Sequence, residues 1–156
     1  MRFRTLSAWR PVLLAMRRII GIDPGSRYTG YGVIDSDGRS SQHVVSGRIR
    51  TGKENFCQRL GMIYRGIEEI INEYHPLEAA VEQVFMARNP NSALKLGQAR
   101  GAAVSALVVA DLSVAEYTPR LVKQAVVGTG TAQKEQVGHM VRVMLNINQA
   151  LTEDQG

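Results

Sequence analysis

The sequence predicts an α/β domain built on a mixed β-sheet, three antiparallel strands then parallel strands, flanked by α-helices. Three observations lead there. Residues 18–50 alternate β-branched runs with Gly, Pro and Asp turns and show no helical period. Residues 55–74 then place Phe56, Leu60, Ile63, Ile67, Ile70 and Tyr74 at steps of three and four, one apolar stripe of a long helix. A short apolar strand follows, Ala79-Ala80-Val81-Glu82-Gln83-Val84. Strand, helix, strand in that order implies a right-handed crossover, which returns this strand parallel to the first.

The elements follow in order. Ile19-Ile20-Gly21-Ile22 reads as a strand buried on both faces, ended by Asp23 and the turn Pro24-Gly25-Ser26. A second strand spans about 29–35, and Asp37-Gly38 turns it into a third over about 42–50. His75-Pro76 ends the long helix. A helix rich in Ala and Gly runs over 92–110, its small residues suited to close packing against the sheet or a partner helix. Residues 113–117 are a short strand, Pro119 opens the next helix, and 134–145 is amphipathic through Val137, Met140, Val141 and Met144. Thr152 and Gln155 stand at the two positions of a capping box, so a further helix is expected to begin there.

At 156 residues the chain fits one domain. Its single cysteine, Cys57, excludes a disulfide framework and a cysteine zinc site and suits a reducing compartment. It is expected to be a small packing residue beside the helical stripe. No apolar run approaches the roughly 20 residues that span a bilayer. The net charge is +5, but Arg2, Arg4 and Arg10 give residues 1–15 a charge of +3, leaving +2 for the rest. A nucleic-acid partner must therefore be argued from local patches. Met16 directly precedes the first strand and is a natural start, so residues 1–15 are expected to be a non-functional extension and 16–156 the folded domain.

Asp23 needs a partner, because a carboxylate ending a buried strand is costly unless hydrogen-bonded, paired or metal-bound. It either caps the following turn through an Asx hydrogen bond or binds a metal. Glu82 interrupts the parallel strand, whose carboxyl end is expected beside that of the first. Two carboxylates meeting there repel unless a cation or shared proton separates them. The alternative is an edge strand with Glu82 in solvent; Val81 and Val84 favour a central strand. The loop 85–91 has an apolar tip at Phe85 and a cation at Arg88. Such a tip either tucks into the core or wedges between bases. Lys123 and Lys134 flank a glycine turn and are either phosphate contacts or solvated charges. His43, His75 and His139 lack metal-ligand spacing and read as structural or surface residues.

Three stretches together resemble the RuvC family of bacterial Holliday-junction resolvases: Gly21-Ile22-Asp23-Pro24-Gly25-Ser26 with Thr29-Gly30-Tyr31-Gly32; Ala80 to Ala87 continued by Asn91 to Gly101; and Val122 to Gly128 with Lys134 and Gln136 to Val141. The match runs from Met16 to the end in family order. The resemblance implies an RNase H-like fold, a cytoplasmic bacterial homodimer and paired symmetric cuts in four-way junction DNA. It also implies two Mg²⁺ ions per site, with tolerance of Mn²⁺, and work alongside the RuvA and RuvB branch-migration proteins. The family's four carboxylates map onto Asp23, Glu82 and Asp154. The fourth would fall one residue beyond Gly156. Phe85 matches an aromatic residue acting at the junction point, and Lys123 and Lys134 match lysines near the scissile phosphate.

An all-carboxylate site suits Mg²⁺, which prefers oxygen ligands. With the fourth carboxylate beyond the end, the 156-residue chain is expected to fold recognisably and to cut weakly or not at all. Two rivals share features with this reading. Sugar kinases and Hsp70-like ATPases use a similar strand–Asp–turn on ATP, but they need a second lobe for which this chain has no room. A branched-DNA-binding module that leaves its ligand intact is the other.

Overall fold

The computed structural model describes residues 15–84 and 89–147. One five-stranded sheet runs in the order β3-β2-β1-β4-β5. Strands β1 (Arg17–Asp23), β2 (Tyr28–Ser36) and β3 (Ser41–Arg50) form an antiparallel meander. Strands β4 (Glu78–Glu82) and β5 (Ser113–Tyr117) are parallel to each other, and β4 is parallel to β1. This is the mixed sheet expected from the sequence, with β1 and β4 at its centre. Four helices flank it: α1 (Phe56–Tyr74), α2 (Pro90–Val109), α3 (Pro119–Val127) and α4 (Lys134–Met144).

The core lies on one face of the sheet. Ile20 and Ile22 of β1, Val33 of β2, and Ala79 and Val81 of β4 pack with Ile63, Ile67, Ile70 and Ile71 of α1 and Ala99, Ala103, Ala106 and Leu107 of α2. Ile63 and Ile67 are fully buried, each contributing roughly 1.5–3 kcal/mol of transfer free energy. Ile71 extends the stripe by one position that the spacing of three and four had not included. α1 starts at Asn55, whose side chain accepts from the Gln58 N–H, and stops at His75, held in the left-handed region at φ 51°.

The other face has small side chains across its middle. Adjacent strands place Gly32, Gly21 and Ala80 in one row, with Ser46 on β3 and Ala115 on β5 completing it. A row of such small side chains leaves a trough that nothing from the sheet can fill.

Two local expectations change. Cys57 is exposed rather than packed, because it sits on the first turn of α1, one step off the buried stripe. α2 starts two residues early, at Pro90, because the Asn89 side chain accepts from the Asn91 N–H and Pro suits a first helical turn. The N-terminal extension through residue 14, Phe85, Arg88 and Asp154 lie outside the described residues, as does the capping box from Thr152 to Gln155.

A bidentate pair ties the far end of β1 to its neighbour. Arg18 Nε and Nη2 donate to the two Asp35 oxygens at 2.8 Å each, and Nη1 donates to the Tyr74 carbonyl at 2.9 Å. The Arg18 hydrogen bonds hold the Asp35 carboxyl below its ordinary pKa. A lowered pKa contributes stability above the unfolded-state value, lost as pH falls through the folded-state value. Arg18→Met is expected to lower the melting temperature at neutral pH and to narrow the gap to the parent under acid. A gap that stays constant down to about pH 2, well below the ordinary Asp range, would rule this out.

Candidate active site

The last residues paired between β1 and β4 are Ile22 and Val81. The next residue on each strand is Asp23 and Glu82, so both carboxylates stand side by side at the carboxyl ends of the two central strands. β4 lies between β1 and β5, so the edge-strand alternative for Glu82 does not hold.

Their surroundings act on their charge. Asp23 opens to solvent at the groove mouth but is walled by protein on its other sides. That partial loss of water raises its pKa, with Lys134 opposing the rise. Glu82 is half-buried; loss of water raises its pKa first, the nearby Asp23 charge raises it further, and Lys123 lowers it. Two carboxylates are thus mutually destabilised in their ionised forms, each faced by one lysine.

The turn after Asp23 does not depend on an Asx cap. The Thr29 hydroxyl donates to the Gly25 carbonyl at 2.9 Å and accepts from the Gly25 N–H at 3.3 Å. The hydroxyl of buried Thr51 donates to the Ser26 carbonyl at 3.0 Å. Arg59 of α1 reaches the same Ser26 carbonyl with both Nε and Nη2, and its Nε lies 3.2 Å from Thr51 Oγ1. Among the described residues, neither Asp23 nor Glu82 accepts a hydrogen bond. The turn is satisfied by other groups, which leaves the Asp23 oxygens available.

A groove of about 930 Å³ opens over these residues, floored by Gly21, Gly32 and Ala80 and walled on the far side by Val122 and Val141 of α3 and α4. Arg48 of β3 lines its other flank. A pair of hard oxygen donors, without His or Cys beside them, fits a divalent cation of the Mg²⁺ type. Among the described residues no third His, Cys, Asp or Glu joins the pair to complete a metal cage.

A family model for the crossover junction endodeoxyribonuclease RuvC matches residues 19–155. The chain belongs to the RuvC family. RuvC of Alkalilimnicola ehrlichii is 55% identical over 141 residues, covering 90% of this chain and 86% of that protein. RuvC of Acinetobacter baumannii is 60% identical over 132 residues, covering 85% of this chain and 73% of that one. Among solved structures, T. thermophilus RuvC in complex with a Holliday junction substrate superposes with a TM-score of 0.80 at 34% identity, covering 86% of this chain and 82% of that one. The RNase H-like fold expected from the sequence is the fold of these RuvC neighbours.

In this RuvC-family chain the structure gathers Asp23 and Glu82 in one groove, with Lys123 and Lys134 close enough to influence their charge. Phe85, Arg88 and Asp154 are not among the described residues. None of the three histidines lines the groove: His43 hydrogen-bonds Ser46 at 2.9 Å, His75 caps α1, and His139 is exposed. Sequence reasoning missed Arg48 and Arg59. Arg48 carried a signal, since Arg48 and Arg50 alternate with Ile49 and so share one strand face. Arg59 carried none, because a helical arginine one step off an apolar stripe looks like a solvated charge.

Proposed function

We propose that this chain is a structure-selective endonuclease that resolves four-way DNA junctions in recombination and repair by metal-dependent phosphodiester hydrolysis. The observation that carries it is the pair Asp23 and Glu82, side by side at strand ends with raised pKa values and no hydrogen-bond donors among the described residues. That disposition costs stability unless a cation balances it. Asp23 and Glu82 would hold the metal, with Asp154 as a third ligand. We infer two Mg²⁺ ions per site, which, when bound, supply activation of the attacking water and neutralisation of the leaving oxygen.

The chain's own residues do the rest. Asp23, on the central strand with its turn clamped, would hold the cation at a fixed place relative to the sheet. Lys134 and Lys123 lie on the opposite wall, where they offset the negative charge that the phosphate and carboxylates accumulate. Phe85 and Arg88 are inferred to contact the junction, from their match to the family pattern. Helix α2 supports a homodimer: Leu94 and Val108 are 70% and 55% exposed, and a methyl group added at Gly97 or Gly101 would touch nothing. These four positions lie on one helical stripe, which a second copy of the chain would cover. A two-fold dimer gives two sites and hence paired symmetric cuts. Cytoplasmic location and collaboration with RuvA and RuvB belong to the same reading; among the described residues no helix is long and apolar enough to cross a membrane.

An end-labelled four-way junction and a linear duplex of the same sequence test this. Selective junction binding is expected, with symmetric nicks that are weak, appear with Mg²⁺ and vanish with chelator, in keeping with the weak cutting expected of the 156-residue chain. Equal affinity for both DNAs would sink the reading. Selective binding without nicks, by the parent and by Asp23→Asn alike, would favour the binding-only module.

A further inference from the structure

The groove also holds an aromatic ring that the metal reading leaves unused. Tyr117 ends β5 as the direct partner of Glu82, and residues paired across strands share a sheet face. One row across the end of the sheet therefore reads Arg48, Gly30, Asp23, Glu82, Tyr117. Tyr117 lines the groove and is 44% exposed. Its backbone is fixed on both sides. The Tyr117 carbonyl accepts from the Gln83 N–H at 2.8 Å, and the next residue, Thr118, caps α3 by accepting from the Leu121 N–H at 3.1 Å. The preceding Glu116 pairs with Arg100 of α2 on the core side, so strand alternation turns Tyr117 to the groove.

The fold makes no use of this ring. The core lies on the opposite face of the sheet. Among the described residues the Tyr117 side chain meets no cation, hydrogen-bond partner or second ring. Tyr28 differs, since the Arg48 guanidinium carbon lies 5.5 Å from its ring centre. The metal does not need the phenol either, because Mg²⁺ takes carboxylate, phosphate and water oxygens. Neighbouring strands lie about 4.8 Å apart, which puts Tyr117 about 5 Å from Glu82 and about 10 Å from Asp23 at the backbone. A nucleotide covers that distance from its phosphate to its base. A phosphate held at the carboxylates thus brings a base within reach of the ring. In a continuous duplex the face of each base is covered by its neighbours, and freeing it is costly. At a branch point the stack is interrupted and a face becomes available.

We propose that Tyr117 is a stacking platform for an unpaired nucleobase at the branch point, the base of a nucleotide whose phosphate lies at Asp23 and Glu82. Every base has a π-face, so the platform favours branched over linear DNA without choosing among the four bases. Lys123 and Lys134 offset phosphate charge, whereas the neutral ring takes the uncharged part of the same nucleotide. This inference rests on the nuclease reading above.

Fluorescence anisotropy with a four-way junction and a linear duplex tests it, in Ca²⁺, which shares the oxygen preference of Mg²⁺ with looser geometry. Tyr117→Ala is expected to weaken junction binding roughly five- to 150-fold, the range for one stacked base, and to leave duplex binding unchanged. Tyr117→Phe should bind as the parent does, and Tyr117→Leu as Tyr117→Ala, because leucine has no π-face. Leu77→Ala, exposed just before β4 at the other end of the sheet, is the control and keeps parent affinity for both DNAs. A junction with an abasic site moved through the crossover nucleotides supplies a second arm. At one position the parent should lose as much as Tyr117→Ala loses on the intact junction, and Tyr117→Ala should lose nothing further. Melting curves check folding, and the comparison of Tyr117→Phe with Tyr117→Leu carries the test if Tyr117→Ala does not fold. With a parent that selects the junction, Tyr117→Leu binding as tightly as Tyr117→Phe overturns the platform alone. Equal losses on junction and duplex, or no abasic position coupled to Tyr117, do the same. A parent with no preference for the junction overturns the nuclease reading and the platform with it.

Discussion

Asp23→Asn is expected to abolish junction cleavage while making the metal-free protein more stable at neutral pH. The two effects share one cause. Partial loss of water and, for Glu82, the neighbouring Asp23 charge raise both carboxyl pKa values above their ordinary range. A raised carboxyl pKa means that the folded chain binds protons more tightly than the unfolded one. Stability is then highest below the ordinary carboxylate range and falls as pH rises through the raised values. Asn carries no charge, so it escapes that fall and also relieves Glu82. Its amide stays hydrated because the groove mouth is open. In chelator at pH 7 the variant is expected to melt slightly above the parent, the gain kept small because Asp23 is exposed and solvent screens its charge. The gap should narrow as pH falls through the raised values and close below the ordinary carboxylate range, where the carboxyls of both folded and unfolded chains are neutral. Adding Mg²⁺ should reverse the order, because the ion stabilises only the chain that binds it. Whatever cleavage the parent shows should fall by roughly 10²–10³-fold, the scale of losing a group aimed at transition-state charge. Identical melting at pH 7 in chelator would refute the electrostatic account, and retained cleavage would refute the site.

The second large effect is expected from Gly25→Ala. A methyl group built on Gly25 would lie 2.1 Å from the Tyr28 carbonyl oxygen and 3.2 Å from its carbonyl carbon. Both are backbone atoms and cannot rotate away. The turn itself cannot yield cheaply, because Thr29, Thr51 and Arg59 hold its carbonyls and the Thr51 N–H donates to the Arg27 carbonyl at 3.1 Å. The cost is expected to reach about 3 kcal/mol, the upper end for overpacking. Asp23 lies two residues upstream, so the displaced turn should also misplace its carboxylate. Cleavage per folded molecule should fall by tenfold or more, in line with the roughly 10²-fold cost of a 1 Å misplacement. Gly38→Ala is the comparison: its added methyl meets nothing, and its cost comes only from the φ of 87° in the hairpin. Equal melting temperatures for Gly25→Ala and the parent would show that the turn is not rigid.

Most of the architecture was legible because its signals are local. The β-branched runs and turns over 18–50 and the period of three to four over 55–74 mark their elements, and the crossover rule then orients β4, although β1 buries Ile20 and Ile22 on one face rather than both faces as its apolar run suggests. Asp23 and Glu82 stood out because a charge in an apolar strand must be explained. Three kinds of feature were not legible. The register shift between Val33 and Ile34 depends on how β3 meets β2, and neither strand's pattern encodes it. The Arg59 grip on Ser26 joins residues 33 positions apart through a single backbone carbonyl. Cys57 went astray because proximity to an apolar stripe along the sequence is not proximity around the helix. Whether Asp23 capped its turn depended on which other groups had already satisfied the turn's backbone, a question only the fold answers.

The bare row of Gly21, Gly32 and Ala80 has a mechanical consequence. Since no side chain rises from the middle of the groove floor, its width there depends on the opposite wall. The two walls differ in stiffness. The carboxylates sit on strands backed by fully buried Ile20, Val33, Ile63 and Ile67, whereas α3 and α4 contain no buried residue among those described. Few buried contacts mean a low free energy for local displacement. The cleft is therefore expected to behave like a vice with one fixed and one sprung jaw: Asp23 and Glu82 keep their spacing, while α3 and α4, which carry Lys123 and Lys134, are displaced at lower cost.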